Sequence, residues 1–155
     1  MTCFSCIAWR SAACVFAPTC GTAPALEHSG DLYACDHFVE PAYRLGNIVA
    51  HEKGEGPSLG EMVASERQRR FGLEKREGLP AYCRGCEVRF ACHGGCPRNR
   101  FAQTADGEDG LNYLCPSYTA FFEHIDPAMR RMCELLKQDR APSEVVKLGI
   151  PGPEA

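Results

Sequence analysis

Apolar residues recur at helical spacing near the end of the chain. Asp126 suits a helix N-cap, and Pro127 suits the first helical position. Four apolar side chains then fall on one face of a helix with a period of 3.6 residues: Met129, Met132, Leu135 and Leu136. We expect helical structure over about residues 118–138, with this stripe packed in a core.

A second helix and a hairpin are predicted upstream. Ser58 and Glu61 have the spacing of a capping box, so a helix should begin there and run to about Arg70. Gly72 follows as the expected helix stop. Ser29–Gly30 separates two short runs that contain apolar residues, which favours a tight antiparallel hairpin. The predicted fold class is therefore small α+β.

The rest of the chain has little periodicity and contains many turn-forming residues. The 155 residues include 15 glycines and 11 prolines, and residues 102–110 predict a polar surface loop. Residues 1–13 show no usable pattern, residues 14–138 are expected to form one domain, and residues 139–155 are expected to fray. Small loop-rich domains usually need cross-links beyond their core.

Charge and hydropathy exclude two classes of partner. The net charge of −3 offers no basic field for nucleic acid. No apolar run approaches the ~18 residues of a membrane span. Residues 1–13 lack the basic and apolar regions of a signal peptide, so a cytoplasmic location is expected.

Cysteine is the strongest compositional signal, with 11 residues. A secreted disulfide scaffold and a reduced metal protein both use cysteine at this density. The expected cytoplasmic location favours metal binding. The densest motif is Cys83-x2-Cys86-x5-Cys92-x3-Cys96-Pro97. Its spacing resembles the cysteine motif that ligates 4Fe-4S clusters in bacterial ferredoxins.

Further cysteines complete a set of eight. Cys14, Cys20 and Cys35 lie upstream of the dense motif, and Cys115 lies downstream. Eight thiolates suit two four-cysteine sites. Zinc also takes all-cysteine tetrahedral sites, so spacing alone leaves the metal open.

The whole pattern resembles the SPASM domain of radical S-adenosylmethionine enzymes. The resemblance lies in C-x9–15-G-x4-C, then C-x2-C-x5-C-x3-C, then a final C. Several segments are similar to anaerobic sulfatase-maturating enzymes in particular: residues 30–39, 45–48, 71–72, 96–100 and 111–115. The similarity extends over about residues 14–138.

The resemblance implies two 4Fe-4S clusters with defined ligands. One set matches Cys14, Cys20, Cys35 and Cys96. The other set matches Cys83, Cys86, Cys92 and Cys115. Cys3 and Cys6 lie outside the matched region, and Cys133 is expected to be a small apolar residue of the final helix.

The resemblance also implies an activity, in which a sulfatase polypeptide has a cysteine or serine oxidised to Cα-formylglycine. Asp36 matches a family aspartate that acts as general base. The alternative is a purely structural role, in which Asp36 caps a turn. His37 is expected to form hydrogen bonds within the fold or near the substrate groove, and His93 to be a donor beside a cluster or to face solvent.

The chain departs from the family in one respect. It has no C-x3-C-x2-C motif for the cluster that cleaves S-adenosylmethionine. We therefore expect a C-terminal part that does not cleave S-adenosylmethionine alone, with the radical barrel on another chain or lost. Two other functions stay open from the residues, a zinc-stapled binding module and a stand-alone electron carrier of ferredoxin type.

Overall fold

A computed structural model describes residues 13–148, which fall into two compact units. The larger unit comprises residues 13–113 and the smaller one residues 114–148. The larger unit contains five strands and five short helices among its described residues. The strands are β1 (Ala25–Leu26), β2 (Asp31–Tyr33), β3 (Arg44–Asn47), β4 (Ala102–Gln103) and β5 (Asp109–Leu111), and the helices are α1 (Ile48–Glu52), α2 (Leu59–Val63), α3 (Glu66–Glu77), α4 (Ala81–Gly85) and α5 (Arg89–Cys92).

The predicted hairpin is confirmed and is extended by a third strand. β1 pairs with β2, and β2 pairs with β3, both antiparallel. Gly30 has a φ of +86°, and its N–H donates to the carbonyl of Glu27 at 2.9 Å. A side chain there would also meet Val49, so glycine is required by both backbone and space.

The predicted helix over residues 58–70 is two helices. The Ser58–Glu61 capping box forms as expected and begins α2. That helix ends at Val63, because Ser65 caps a new helix by accepting a hydrogen bond from the N–H of Gln68. The predicted stop at Gly72 is wrong, since Gly72 is a buried residue inside α3.

Residues 102–110 are more regular than predicted. β4 and β5 lie at the two ends of this segment and pair as a short antiparallel hairpin. Thr104 and Glu108 close the turn between them with a backbone hydrogen bond of 2.9 Å. The prediction of a loop is correct only for the turn.

The core of the larger unit is an aromatic cluster beside two predicted ligands. The rings of Phe38, Tyr43 and Phe71 contact one another at centroid distances of 4.7–5.8 Å. Cys35 is buried with Phe38 and Phe71, and Cys20 packs against them. The apolar core and the candidate metal site therefore share residues.

The smaller unit contains the predicted C-terminal helix, which begins earlier than its sequence signals suggest. α6 (Cys115–Lys137) starts at the residue before Pro116, and Pro127 lies inside it. Asp126 is not the N-cap; its carboxylate pairs with Arg130 one turn later at 2.5 Å. Pro116 already supplies the proline favoured in the first turn.

The predicted apolar stripe of α6 is buried in part. Leu135 has no exposed surface, whereas Leu136 is 45% exposed. Cys133 is buried, as expected of a small apolar residue. A turn at Pro142–Glu144 and α7 (Val145–Leu148) follow, and Val145 is buried. No helix within residues 13–148 has the length and apolar character to cross a bilayer.

Candidate metal centre

Three of the upstream cysteines are placed by different local structures. Cys14 begins a turn of 3-10 helix that extends to Phe16. The N–H of Cys20 donates to the carbonyl of Gly72 in α3 at 3.1 Å. Cys35 follows the end of β2 by two residues and is buried. The sheet and α3 thus fix two of these thiols.

The four thiols of the first predicted set interact electrostatically. Burial raises the pKa of the Cys20 thiol, Lys75 lowers it, and the thiols of Cys96 and Cys14 raise it further. Burial also raises the pKa of Cys35 to about 11, with a smaller contribution from Cys20. Cys20 is therefore near the other three members, and all four are free thiols.

The dense cysteine motif is a series of short helical turns. Cys83 is buried within α4, and Cys86 is the residue after that helix. Cys92 ends α5, and Cys96 follows four residues later. The intervening residues all have positive φ: His93 at 47°, Gly94 at 73° and Gly95 at 63°. This left-handed path reverses the chain between Cys92 and Cys96.

Gly94 is required at its position by close packing. A Cβ atom there would contact the side chains of Leu79 and Arg100 at less than van der Waals distance. The carbonyl of Gly94 also accepts hydrogen bonds from Arg100 and Asn112, at 3.1 and 3.2 Å.

Arg100 holds the Cys92–Cys96 loop through several carbonyl groups. Its guanidinium donates to the carbonyl oxygens of His93, Gly94 and Gly95 at 3.0–3.3 Å. It also donates to the carbonyl of Lys75 at 2.7 Å. Burial lowers the pKa of Arg100, and the thiols of Cys83, Cys20, Cys92 and Cys96 raise it. The guanidinium is thus within electrostatic range of thiols from both predicted sets.

Lys75 is a second cation beside the thiols. Its side chain is fully buried, and Nζ donates to the carbonyl oxygens of Cys14 and Val15 at 2.7 and 2.9 Å. Burial lowers the pKa of Lys75, while the Cys20 thiol raises it. Sequence analysis missed Lys75, because a lysine in a polar helix carries no signal of burial. Arg100 had a signal, since it lies four residues after Cys96.

Asp36 and His37 lie at the exposed edge of the site. The Sγ of Cys35 donates to Oδ1 of Asp36 at 3.1 Å, and this hydrogen bond lowers the pKa of Asp36. Nδ1 of His37 lies 3.4 Å from Sγ of Cys96, consistent with the expected hydrogen bonding within the fold. Ligand atoms of Cys35, Asp36 and His37 all lie within 4.8 Å of one another. His28 is exposed beside Glu27.

The remaining cysteines divide into one predicted ligand and three others. Cys115 is the first residue of α6 in the smaller unit. Cys133 is buried on the same helix. Cys3 and Cys6 lie outside the described residues.

The donor set fits a cluster of soft metal ions. Thiolates are the ligands of iron–sulfur clusters, and they also suit zinc. The two cations placed beside the thiols favour a group of net negative charge, which four thiolates around one centre would provide.

Comparison with known proteins shows what the chain is similar to. Residues 14–87 match the family model for SPASM, an iron–sulfur cluster-binding domain. A serine-type anaerobic sulfatase-maturating enzyme of Bacteroides thetaiotaomicron is 48% identical over 134 residues, covering 86% of this chain and 31% of that protein. A cysteine-type enzyme of Clostridium perfringens is 29% identical, over 83% of this chain and 32% of that one.

A solved structure shows the same fold. Native anSMEcpe with bound AdoMet and Cp18Cys peptide superposes with a TM-score of 0.66 and 27% identity, over 86% of this chain and 35% of that chain. The present chain spans about a third of the length of the relatives it matches. Its residues 14–87 thus resemble a SPASM iron–sulfur cluster-binding domain, and the chain as a whole is similar to about a third of anaerobic sulfatase-maturating enzymes.

Proposed function

We propose that the chain binds two 4Fe-4S clusters. The first would be ligated by Cys14, Cys20, Cys35 and Cys96, and the second by Cys83, Cys86, Cys92 and Cys115. The observation that carries the first assignment is the packing of Cys20 against the buried cluster that contains Cys35. Nδ1 of His37, two residues after Cys35, also lies 3.4 Å from Sγ of Cys96. The second is supported by the turns that space Cys83, Cys86 and Cys92. Cys96 would then serve a different cluster from the rest of its motif, as in bacterial ferredoxins.

The chain would act as the auxiliary-cluster part of an anaerobic sulfatase maturase. That activity oxidises a cysteine or serine of a sulfatase to Cα-formylglycine, with S-adenosylmethionine bound elsewhere in the complete enzyme. Similarity to named maturases and to a structure with a bound peptide supports this proposal. Ligation of reduced thiolates also favours a cytoplasmic location.

The clusters would supply one-electron transfer. Four cysteines per cluster leave no iron position for a substrate. We therefore expect the clusters to accept the surplus electron of a substrate radical. A polar side chain of this chain, Asp36, would act on the substrate at the exposed edge of the candidate metal centre. Asp36 accepts a hydrogen bond from the Cys35 thiol, and ligation of Cys35 as a thiolate would remove that donor. The exposed carboxylate would then be available to accept a proton from the substrate.

The first test is the metal content of the anaerobically purified chain. We expect about eight iron and eight sulfide per chain, since each of two clusters takes four of each. A colourless protein with two zinc ions and no sulfide would instead show a zinc-stapled module. Reversible bleaching by dithionite without association with any radical enzyme would instead favour a ferredoxin-like carrier.

Single cysteine variants test the ligand sets. Cys20→Ala and Cys92→Ala should each lose about half of the iron, because each removes a ligand of a different cluster. Cys133→Ala is the matched control, a buried cysteine of α6 that is absent from both sets. Loss of iron in the control, or full iron in both ligand variants, would refute the assignment.

The role of Asp36 is tested in the complete maturase. Asp36→Asn should slow formylglycine formation on a sulfatase peptide by about 10²–10⁴-fold while the iron content stays constant. Undiminished turnover would rule out Asp36 as the base.

A further inference from the structure

Two cations lie beside the cysteines without a carboxylate partner among the described residues. Lys75 has no exposed surface, and Arg100 is partly buried. Neither forms an ion pair with an Asp or Glu within residues 13–148. The lysines and arginines that do pair with carboxylates in this range do so with exposed or half-exposed side chains. A buried cation needs a counter-charge, because burial removes the solvation of the charged form.

Backbone carbonyls satisfy the hydrogen bonds of these cations but not their charge. Lys75 donates to the carbonyl of Cys14, and Arg100 to those of the loop that precedes Cys96. Arg100 also donates to the carbonyl of Lys75, which links the two residues. The hydrogen bonds therefore hold both cations against the segments that carry the thiols.

Thiols lie within electrostatic range of both cations, and Arg100 also lowers the pKa of Lys75. Lys75 interacts with Cys14, Cys20 and Cys96, all of the first ligand set. Arg100 interacts with Cys20 and Cys96, and also with Cys83 and Cys92 of the second set. Four thiolates leave an oxidised 4Fe-4S cluster with net negative charge, and one-electron reduction adds another negative charge.

We propose that Lys75 and Arg100 are the fixed counter-charges of the two clusters, Lys75 for the first and Arg100 for both. This rests on the two-cluster function proposed above. A fixed positive charge stabilises the reduced, more negative state more than the oxidised one. Both residues therefore raise reduction potentials and help the polypeptide to retain its clusters.

The test is a redox titration of the full chain with dithionite as electron donor, followed by electron paramagnetic resonance under anaerobic conditions. Lys75→Met should shift the reduction equilibrium of one cluster at least about tenfold toward the oxidised state, which is about 59 mV for one electron. Arg100→Gln should shift both clusters in the same direction. Lys75→Arg, which keeps the charge, should stay near the wild-type potential.

Lys53→Met is the matched control, because Lys53 is exposed and is not among the cations that face the thiols. It should leave both potentials unchanged. Loss of one cluster in Lys75→Met with retention in Lys75→Arg also supports the proposal, since charge is then what retention requires.

Three results would overturn it. Full clusters at wild-type potentials in Lys75→Met would show that the charge has no effect. Loss of the cluster in both Lys75 variants would show that the amine's hydrogen bonds, rather than its charge, are needed. A wild-type chain without sulfide would remove the two-cluster function as well, and this last result is distinguished by metal analysis before any variant is compared.

Discussion

Cys35 lies in surroundings that disfavour its thiolate. Burial is the largest cause of its pKa of about 11, and the Asp36 carboxylate raises the pKa further, both as hydrogen-bond acceptor and as a negative charge. The protonated thiol is therefore the favoured form in the folded chain below about pH 11. Its contribution to folding without metal is present below the unfolded pKa of 9.0 and is lost as the pH rises through about 11.

Alkylation of the cluster-free chain measures this effect. At pH 8 a pKa of about 11 rather than 9.0 lowers the thiolate fraction about a hundredfold, so Cys35 should react with iodoacetamide about that much more slowly than an ordinary thiol. The rate should rise about tenfold per pH unit up to about pH 11. Mass spectrometry of digested protein resolves Cys35 from the exposed Cys14.

The Asp36→Asn variant tests whether the Asp36 carboxylate contributes to the slow alkylation of Cys35. The substitution removes the negative charge that raises the Cys35 pKa, so the variant should be alkylated faster at pH 8. A rate equal to that of the wild-type chain would show that burial alone suppresses the thiolate.

At the scale of elements, the contact of α3 with the segment before β1 positions a ligand. A Cβ atom on Gly72 would lie 2.6 Å from the carbonyl oxygen of Cys20, too close for any real side chain. Gly72→Ala would normally favour a helix by about 1 kcal/mol. Here the clash should reverse the sign and displace Cys20, so we expect a lower melting temperature and loss of about half of the iron.

Gly60→Ala separates the clash from helix propensity. Gly60 lies in α2, and a Cβ atom there meets nothing within 4 Å. This variant should keep its iron and be as stable as the wild-type chain or more so. Equal iron content in the two variants would contradict the proposed role of the contact.

The same glycine shows where sequence reasoning failed. A glycine after a predicted helix usually marks its end, but Gly72 is required inside α3 by a tertiary contact with Cys20 that local patterns do not encode. The break at Ser65 was readable, since a serine before Glu66 is a helix-start signal. The hairpin at Ser29–Gly30 was predicted because its signal is local: a turn that needs positive φ.

The candidate site divides in the same way between local and tertiary information. The cysteine spacings predicted eight candidate ligands, and a resemblance supplied their division into two sets. Lys75 had no sequence signal, because its burial depends on the path of residues 14–15 across α3. Asn112, which donates to the carbonyls of Gly94 and Cys96, likewise depends on the β4–β5 hairpin to reach that loop.

At the scale of the molecule, candidate ligands form a large part of the core. Of the buried hydrophobic side chains in residues 13–113, three are cysteines of the predicted sets, namely Cys35, Cys83 and Cys96. A unit whose core side chains also ligate metal gains folding free energy from metal binding. The smaller unit instead buries Cys133, Leu135 and Val145 on and after a 23-residue helix.

Hydrogen exchange of the full chain, with and without its metal, tests this difference. Removing iron anaerobically with a chelator should speed exchange in residues 13–113 at least about tenfold, which corresponds to about 1.4 kcal/mol of opening free energy. Amides in residues 124–137 of α6 should change less, because that part of the helix lies beyond the predicted ligand Cys115 and its hydrogen bonds are local. Cys133→Ala provides the comparison, since it perturbs the smaller unit and should speed exchange there without iron loss. If chelation left residues 13–113 as protected as before, apolar packing alone would hold that unit together, and the metal would add function without adding stability.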